Sequence, residues 1–180
     1  TRMLNADRAT LFLNDLKTNE LFSRVAMGEG IGEIRLPNNA GIAGAVFQSR
    51  ETINIPHAYA DLRFNPGFDK QTGYFTRSIL CVPIINKDGD CIGCTQALNK
   101  KGGGFTEEDE SRLKAFTQQV SIALENAKLF EDVAKERAYN YSMLTSMSNA
   151  VITINDEGKI ITCNKSCLLY TSDAADDDAC

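Results

Sequence analysis

An α+β domain built on an antiparallel sheet is the fold class this chain predicts, and three observations predict it. Six short β-rich runs, separated by turn signals, fill the first hundred residues. Beyond residue 105 the apolar spacing switches to alternating steps of three and four, uninterrupted by Gly or Pro as far as Leu144. The 180 residues are 43% hydrophobic and 24% charged, close to globular averages, which excludes a chain disordered throughout.

Thr10–Asn14 and Leu21–Ala26 read as a hairpin across the turn Asp15–Glu20, where Asn19 favours a left-handed backbone. Ile34–Leu36 is a short strand stopped by Pro37. Gly41–Ser49 (GIAGAVFQS) has a helical pattern with small residues at its start. Thr52–Ile55 is another short strand, closed by Pro56, and Asn65–Pro66–Gly67 marks a turn within the irregular stretch 57–77. Ser78–Ile85 and Cys91–Leu98 form a second hairpin, joined by a loop containing Asp88–Gly89.

Thr106 followed by Glu107, Glu108, Asp109 and Glu110 is an N-cap with acids in the first turn, facing the positive end of the helix dipole. Apolar positions then recur at Leu113, Phe116, Val120, Ala123, Ala127, Phe130, Ala134, Tyr141 and Leu144. About forty residues of helix would reach about 60 Å, more than a small domain needs, and a seam of period 3.5 pairs with a copy of itself. Leu113–Leu124 is equally suited to packing on its own sheet. Ser148–Asn149–Ala150 breaks the helix, and Val151–Asn155 with Lys159–Cys163 reads as a further hairpin that opens a second domain. The expected organisation is therefore a domain over 1–128, a coiled-coil helix over 129–147, the start of a second domain over 148–167, and a tail over 168–180. That tail resembles a translated sequencing adaptor. With no signal peptide and no initiator Met, the chain reads as an internal fragment.

Nineteen Lys and Arg against 24 Asp and Glu give a net charge of −5, and four of the acids lie in the tail. The body is thus almost neutral and offers no footprint for nucleic acid or an anionic membrane. Apolar runs such as Ile79–Ile85 are far shorter than the roughly 20 residues of a membrane span. Six dispersed cysteines fit a reducing, cytoplasmic compartment better than a disulfide scaffold. The single histidine, His57, leaves most His-based metal and acid–base sites without their parts.

Asn99–Lys100, Phe105 and Asp109–Glu110 reproduce the Asn-Lys…Phe-x-x-x-Asp-Glu pattern of cyclic-nucleotide-binding GAF domains. GIAG (41–44), NIPHAYAD (54–61), FNPGFDKQTGYFTRSILCVPI (64–84) and IGCTQALNK (92–100) follow in that family's order. Over roughly residues 5–130 the chain resembles the regulatory GAF domains of cyanobacterial adenylate cyclases and mammalian cyclic-nucleotide phosphodiesterases. Asn140–Ser166 resembles the entry to a PAS domain, including its first hairpin.

The resemblance implies a six-stranded GAF sheet and a cyclic nucleotide as ligand. It sets the phosphate against the Ile42 and Ala43 amides, with Asn65 nearby. The open first turn at Gly41–Gly44 suits an anion on physical grounds, while the two glycines also suit close helix–sheet packing. Asp69, Thr72 and Thr76 share a face if Gly67–Phe75 is helical. By resemblance they form a lid, and Gln96 reaches the ligand. Ala26–Met27 stands where the cGMP-binding phosphodiesterase carries an aromatic residue and a base-reading Asp, so cAMP is favoured over cGMP. Lys100 and Asp109 are expected to form a buried or half-buried ion pair above Phe105; with Asn99, Phe105 and Glu110 they support the site.

Cys91 and Cys94, an odd step apart on a strand, point to opposite faces and do not make a zinc half-site. Cys81 is expected to pair near Thr95, which leaves no two of Cys81, Cys91 and Cys94 as obvious neighbours. The expected function is a regulatory, non-catalytic sensor that needs no metal or cofactor. It relays cyclic-nucleotide binding through a parallel homodimer over Leu113–Leu144 to a PAS domain and an output enzyme such as an adenylate cyclase. A ligand-free dimerisation module and a thiol-based free methionine sulfoxide reductase are the alternatives.

Overall fold

The computed structural model describes residues 1–27 and 33–167, with the backbone alone for Val25–Met27. The expectation for the tail from Leu168 onward lies outside the described residues. Two compact units divide the chain between Glu125 and Asn126.

In the first unit, β1 (Ala6–Asp15) and β2 (Glu20–Met27) form the expected hairpin, turning through Asn19 at φ 56°. β3 (Arg35–Pro37), α1 (Gly41–Ser49), β4 (Ile53–Ile55), α2 (Gly67–Thr72), β5 (Ile79–Ile85) and β6 (Cys91–Lys100) follow. The strands make one six-stranded antiparallel sheet in the order β3-β2-β1-β6-β5-β4. β1 begins four residues before the apolar run that announces it. Its polar start still pairs with the end of β6, Ala6 opposite Lys100 and Arg8 opposite Leu98, so pairing overrides composition there.

The strand period of two sorts β5 between two cores. Ile79 and Cys81 join Phe12, Ile42, Ala43 and Val46 on the α1 face. Leu80 and Val82 join Leu4, Ala97, Phe105 and Leu113 on the other. That second face is covered by α3 (Glu107–Ser146), 40 residues long. Its contact stripe is Asp109, Leu113, Thr117 and Ser121, at strict four-residue steps. Phe116 and Ala123, which the apolar spacing groups with Leu113, are exposed. Small hydroxyl residues line the buried stripe because they let the helix approach the sheet, and Ser121 Oγ donates to the Ile85 carbonyl at 2.7 Å. A hydropathy reading cannot see that choice.

In the second unit, α3 exposes Leu129, Phe130, Val133, Tyr139 and Tyr141. β7 (Ile152–Ile154) and β8 (Ile160–Cys163) form the expected two-stranded hairpin, closed by Asn155 Oδ1 accepting from the Glu157 and Lys159 amides. The buried Asn164 ties this unit together. Its Oδ1 accepts from the Val151 and Cys167 amides, and its Nδ2 donates to the Leu144 and Asn149 carbonyls. Among the described residues no helix is long and apolar enough to cross a membrane.

Candidate functional site

A cavity of about 270 Å³ opens on the α1 face of the first unit. Its floor is the β1/β6 pair: Arg8, Thr10 and Phe12 alternate with their neighbours on β1, opposite Leu98, Gln96 and Cys94. α1 forms one wall. Gly41 takes the left-handed backbone, φ 66°, that swings the chain into the helix. The N-cap is Ala40, whose side chain offers no hydrogen bond, so the Ile42 and Ala43 amides at the cavity edge are left to other acceptors. Gly44 is needed for packing: a Cβ there would lie 2.6 Å from the Asn39 carbonyl carbon. The close approach is to the backbone of the loop before α1 and not to the sheet.

The roof is α2 and the segment leading into it, with Asn65, Phe68, Asp69 and Thr72 reaching the cavity. α2 is shorter than the spacing suggests, because Gly73 caps it in the left-handed conformation at φ 68°. Thr76 therefore does not ride on the helix. It returns in an extended loop and lies under Asp69. The Asp69 carboxylate accepts from the Thr76 amide at 2.7 Å, the Thr76 hydroxyl at 2.8 Å and the Tyr59 hydroxyl at 2.9 Å. Asp69 is buried, so these bonds make it a latch holding roof to loop. Desolvation, followed by the Asp69 carboxylate, pushes the Tyr59 phenol up. Thr72 caps its own helix by donating to the Phe68 carbonyl, and Asn65 Oδ1 accepts from the Gly67 amide. Among the described residues the Gln96 side chain has no hydrogen-bond partner and is half-buried on the floor.

β2 sets Ala26 opposite Thr10 and Met27 opposite Ala9; what their side chains reach lies outside the described part of the structure.

The supporting residues lie just beyond the floor. Asn99, 1% exposed and at φ 54°, accepts on Oδ1 from the Arg77 and Ser78 amides and donates from Nδ2 to the Tyr74 hydroxyl and the Phe75 carbonyl. Lys100 Nζ stands 2.6 Å from Asp109 Oδ1. Asp109 also accepts from the Thr106 amide and hydroxyl, while its own amide donates to the Thr106 hydroxyl oxygen in a capping box. Burial works against the charged carboxylate, but the Lys100 ammonium and the Thr106 donors outweigh it and hold Asp109 below its ordinary range. Phe105 is buried in the adjoining core, and Glu110 pairs with Lys114 on the surface at 2.6 Å.

Among the lining residues to which the sequence assigned no role in the site are Arg8, Tyr74 and Phe68. Arg8 sits in the polar start of β1, where no motif flags it. The thiols also differ from expectation. Cys81 pairs with Gln96, next to Thr95, and this register brings its thiol diagonally beside Cys94, so two of the three thiols are neighbours. The neighbouring Cys81 thiol and burial hold Cys94 well above the ordinary thiol range, and burial likewise pushes Cys91 up. Among the described residues no cluster of His, Cys, Asp and Glu could hold a metal.

A sheet walled by α1, roofed by α2 and backed by α3 is the arrangement of the GAF domain family, which matches residues 1–124. The chain belongs to the GAF family. Curated relatives of this GAF domain include the dual 3′,5′-cyclic-AMP and -GMP phosphodiesterase 11A of Takifugu rubripes, 39% identical over 172 residues. The dual 3′,5′-cyclic-AMP and -GMP phosphodiesterase 11 of Drosophila melanogaster is 40% identical over 159 residues. The alignments cover 88% and 79% of this chain but only 19% and 11% of those proteins. Among solved structures, the GAF domain of an Acinetobacter phosphoenolpyruvate-protein phosphotransferase superposes with TM-score 0.61 at 22% identity, covering 73% of this chain and 78% of that one. The free methionine-R-sulfoxide reductase of Neisseria meningitidis gives 0.61 at 20%, covering 71% and 72%. At these identities the likeness is one of fold.

Proposed function

We propose that this GAF domain is a regulatory sensor that binds a cyclic nucleotide, with cAMP favoured over cGMP. The observation that carries the reading is the open hollow between the Ile42 and Ala43 amides and the α2 roof. Two orphan amides at a helix N-terminus suit one phosphodiester anion. Gln96, without a protein partner among the described residues, matches the paired donor and acceptor on the adenine edge. Relatives named as phosphodiesterases of cyclic nucleotides support the same ligand class.

In this reading ligand ordering of the α2 roof shifts the free energy of α3 through Asn99 and Lys100. The helix pairs with a second copy in parallel within Leu113–Leu144, through its exposed apolar residues. It passes the signal to a PAS domain begun by β7 and β8, and then to an adenylate cyclase or another enzyme of cyclic-nucleotide signalling. The free thiols Cys81 and Cys94 suit a cytoplasmic setting.

A ligand-free dimerisation module would have the hollow filled. Phe64 instead lines it, and Phe75 stacks outside on Tyr59 at 5.1 Å. A thiol reductase needs a lowered thiol pKa, against the direction found at Cys91 and Cys94. Isothermal titration of the 180-residue chain with cAMP and cGMP tests the proposal. Saturable heat is expected with both, tighter for cAMP; silence with both ends the sensor reading.

A further inference from the structure

A second groove, of about 710 Å³, lies at the end of the sheet where β4 stops, β5 starts and β6 runs out. Three chain segments build it and are tied to one another. The Ala58 amide donates to the Arg77 carbonyl at 2.7 Å, and the Lys100 amide donates to Ser78 Oγ at 3.2 Å. Gly104 lies against Pro56, whose Cβ would stand 3.7 Å from a Cβ on the glycine. In a chain of net charge −5 no acid lines this groove, while His57, Arg77 and Lys100 do. Lys100 is engaged by Asp109 at 2.6 Å. Arg77 meets only Asp7, outside the lining, at 3.5 Å, and its side chain is 58% exposed.

The groove also collects donors that meet no acceptor. The amides of Gly102, Gly103 and Gly104 donate no hydrogen bond among the described residues. A Cβ at Gly102 or Gly103 would meet nothing within 4 Å, so that loop is open. Ser78 is 2% exposed; its Oγ accepts from the Lys100 amide, and its own proton has no acceptor among the described residues. The remaining wall carries Phe75 and Tyr59, 60% and 51% exposed, stacked with ring centroids 5.1 Å apart.

We propose that this groove is an effector site, separate from the cavity between α1 and α2, for a small organic phosphate bearing a flat apolar group. A phosphate group has three terminal oxygens to accept from a guanidinium, a hydroxyl and a run of backbone amides, where a carboxylate has two. The Arg77 fork supplies paired, charged donors. The aromatic pair gives the flat group a surface to stack on. Tyr59 and Thr76 both line the groove, and both donate to Asp69 on α2. Occupancy therefore bears on the latch that holds the roof.

The test titrates the isotope-labelled full chain with phenyl phosphate, inorganic phosphate and phenylacetate, following the backbone amide shifts. Phenyl phosphate is expected to saturate and to shift the Ala58, Ser78 and Gly102–Gly104 amides. It should bind about tenfold more tightly than either comparator, since each lacks one half of it. Arg77→Gln should weaken it about tenfold, and Phe75→Ser should bring it down to the level of inorganic phosphate; each variant is checked for a cooperative melt. His57→Gln, which should weaken it severalfold, decides the matter if Arg77→Gln does not fold. Exchange of the Thr76 amide, which donates to Asp69, should slow at saturation; an unchanged rate overturns the effector role. No saturation, shifts confined to Ile42 and Ala43, phenylacetate as tight as phenyl phosphate, or full affinity in the folded Arg77 or His57 variant overturns the site. None of these outcomes involves a cyclic nucleotide, so the sensor reading stands or falls apart from them.

Discussion

Asn99 and Lys100 are consecutive residues at the end of β6 that brace opposite layers of the domain. The Asn99 amide closes four hydrogen bonds on the loop returning from α2, and the Lys100 ammonium stands 2.6 Å from Asp109 at the start of α3. Any shift of the roof that moves one peptide of β6 therefore bears on both.

Removing one partner of the buried ion pair is expected to be costly, because it leaves the other charge unmatched. Lys100→Met should destabilise the first unit by about 3–5 kcal/mol in urea unfolding. The double variant Lys100→Met/Asp109→Leu should recover part of that loss. A single variant within about 0.5 kcal/mol of wild type would show that the pair contributes nothing.

The same pair sets an acid limit. Asp109 is held below its ordinary value of 3.8, so it is depressed in the folded state. Its contribution is fully present above that ordinary value and is lost as pH falls through the lower folded value. Stability measured from pH 6 down to pH 2 should fall over that window, and Asp109→Asn should flatten the fall. An identical acid limb in the variant would assign it to other carboxylates, such as Asp61, which Arg63 holds near 2.

Asn99→Ala should cost about 3 kcal/mol, since it strands buried donors and acceptors of residues 74–78. Amide hydrogen exchange at Arg77 and Ser78 should accelerate more than in the β1–β2 hairpin. Uniform acceleration across the sheet would mean that Asn99 serves the whole fold and not the roof.

Thr117 is 2% exposed and its hydroxyl has no hydrogen-bond partner among the described residues. Thr117→Val removes a stranded polar group at nearly constant volume and should raise stability by about 1 kcal/mol. A fall in the urea midpoint would reveal a partner for the hydroxyl.

Phe130 is 78% exposed on α3. If the helix pairs with a second copy, Phe130→Glu should convert a dimer to a monomer in sedimentation equilibrium with the melting of the sheet unchanged. A wild-type monomer at high concentration would remove the pairing reading.

Turn and cap chemistry made most of the fold legible. Asn19, Asp88–Gly89, Thr106 and the apolar run Ile79–Ile85 each specify a local geometry that tertiary packing did not have to override. The end of α2 was obscured because Gly73 stops the helix where side-chain spacing alone would continue it. The sheet face of α3 was hidden because Thr117 and Ser121 are buried for their small size and not for hydropathy. In the cavity, motif residues such as Ile42 and Gln96 were visible in the sequence. Arg8 was not, since its place on the cavity floor depends on which residue of β6 it faces and on a tyrosine 66 positions away.

Asn164 gathers the last turn of α3, the loop after it and both ends of the β7–β8 hairpin onto a single amide. Such a joint has one point of failure. Deamidation to Asp would replace its two donors with repulsion between a carboxylate and two carbonyl oxygens, so ageing of one side chain would uncouple the helix end from the hairpin without breaking the main chain.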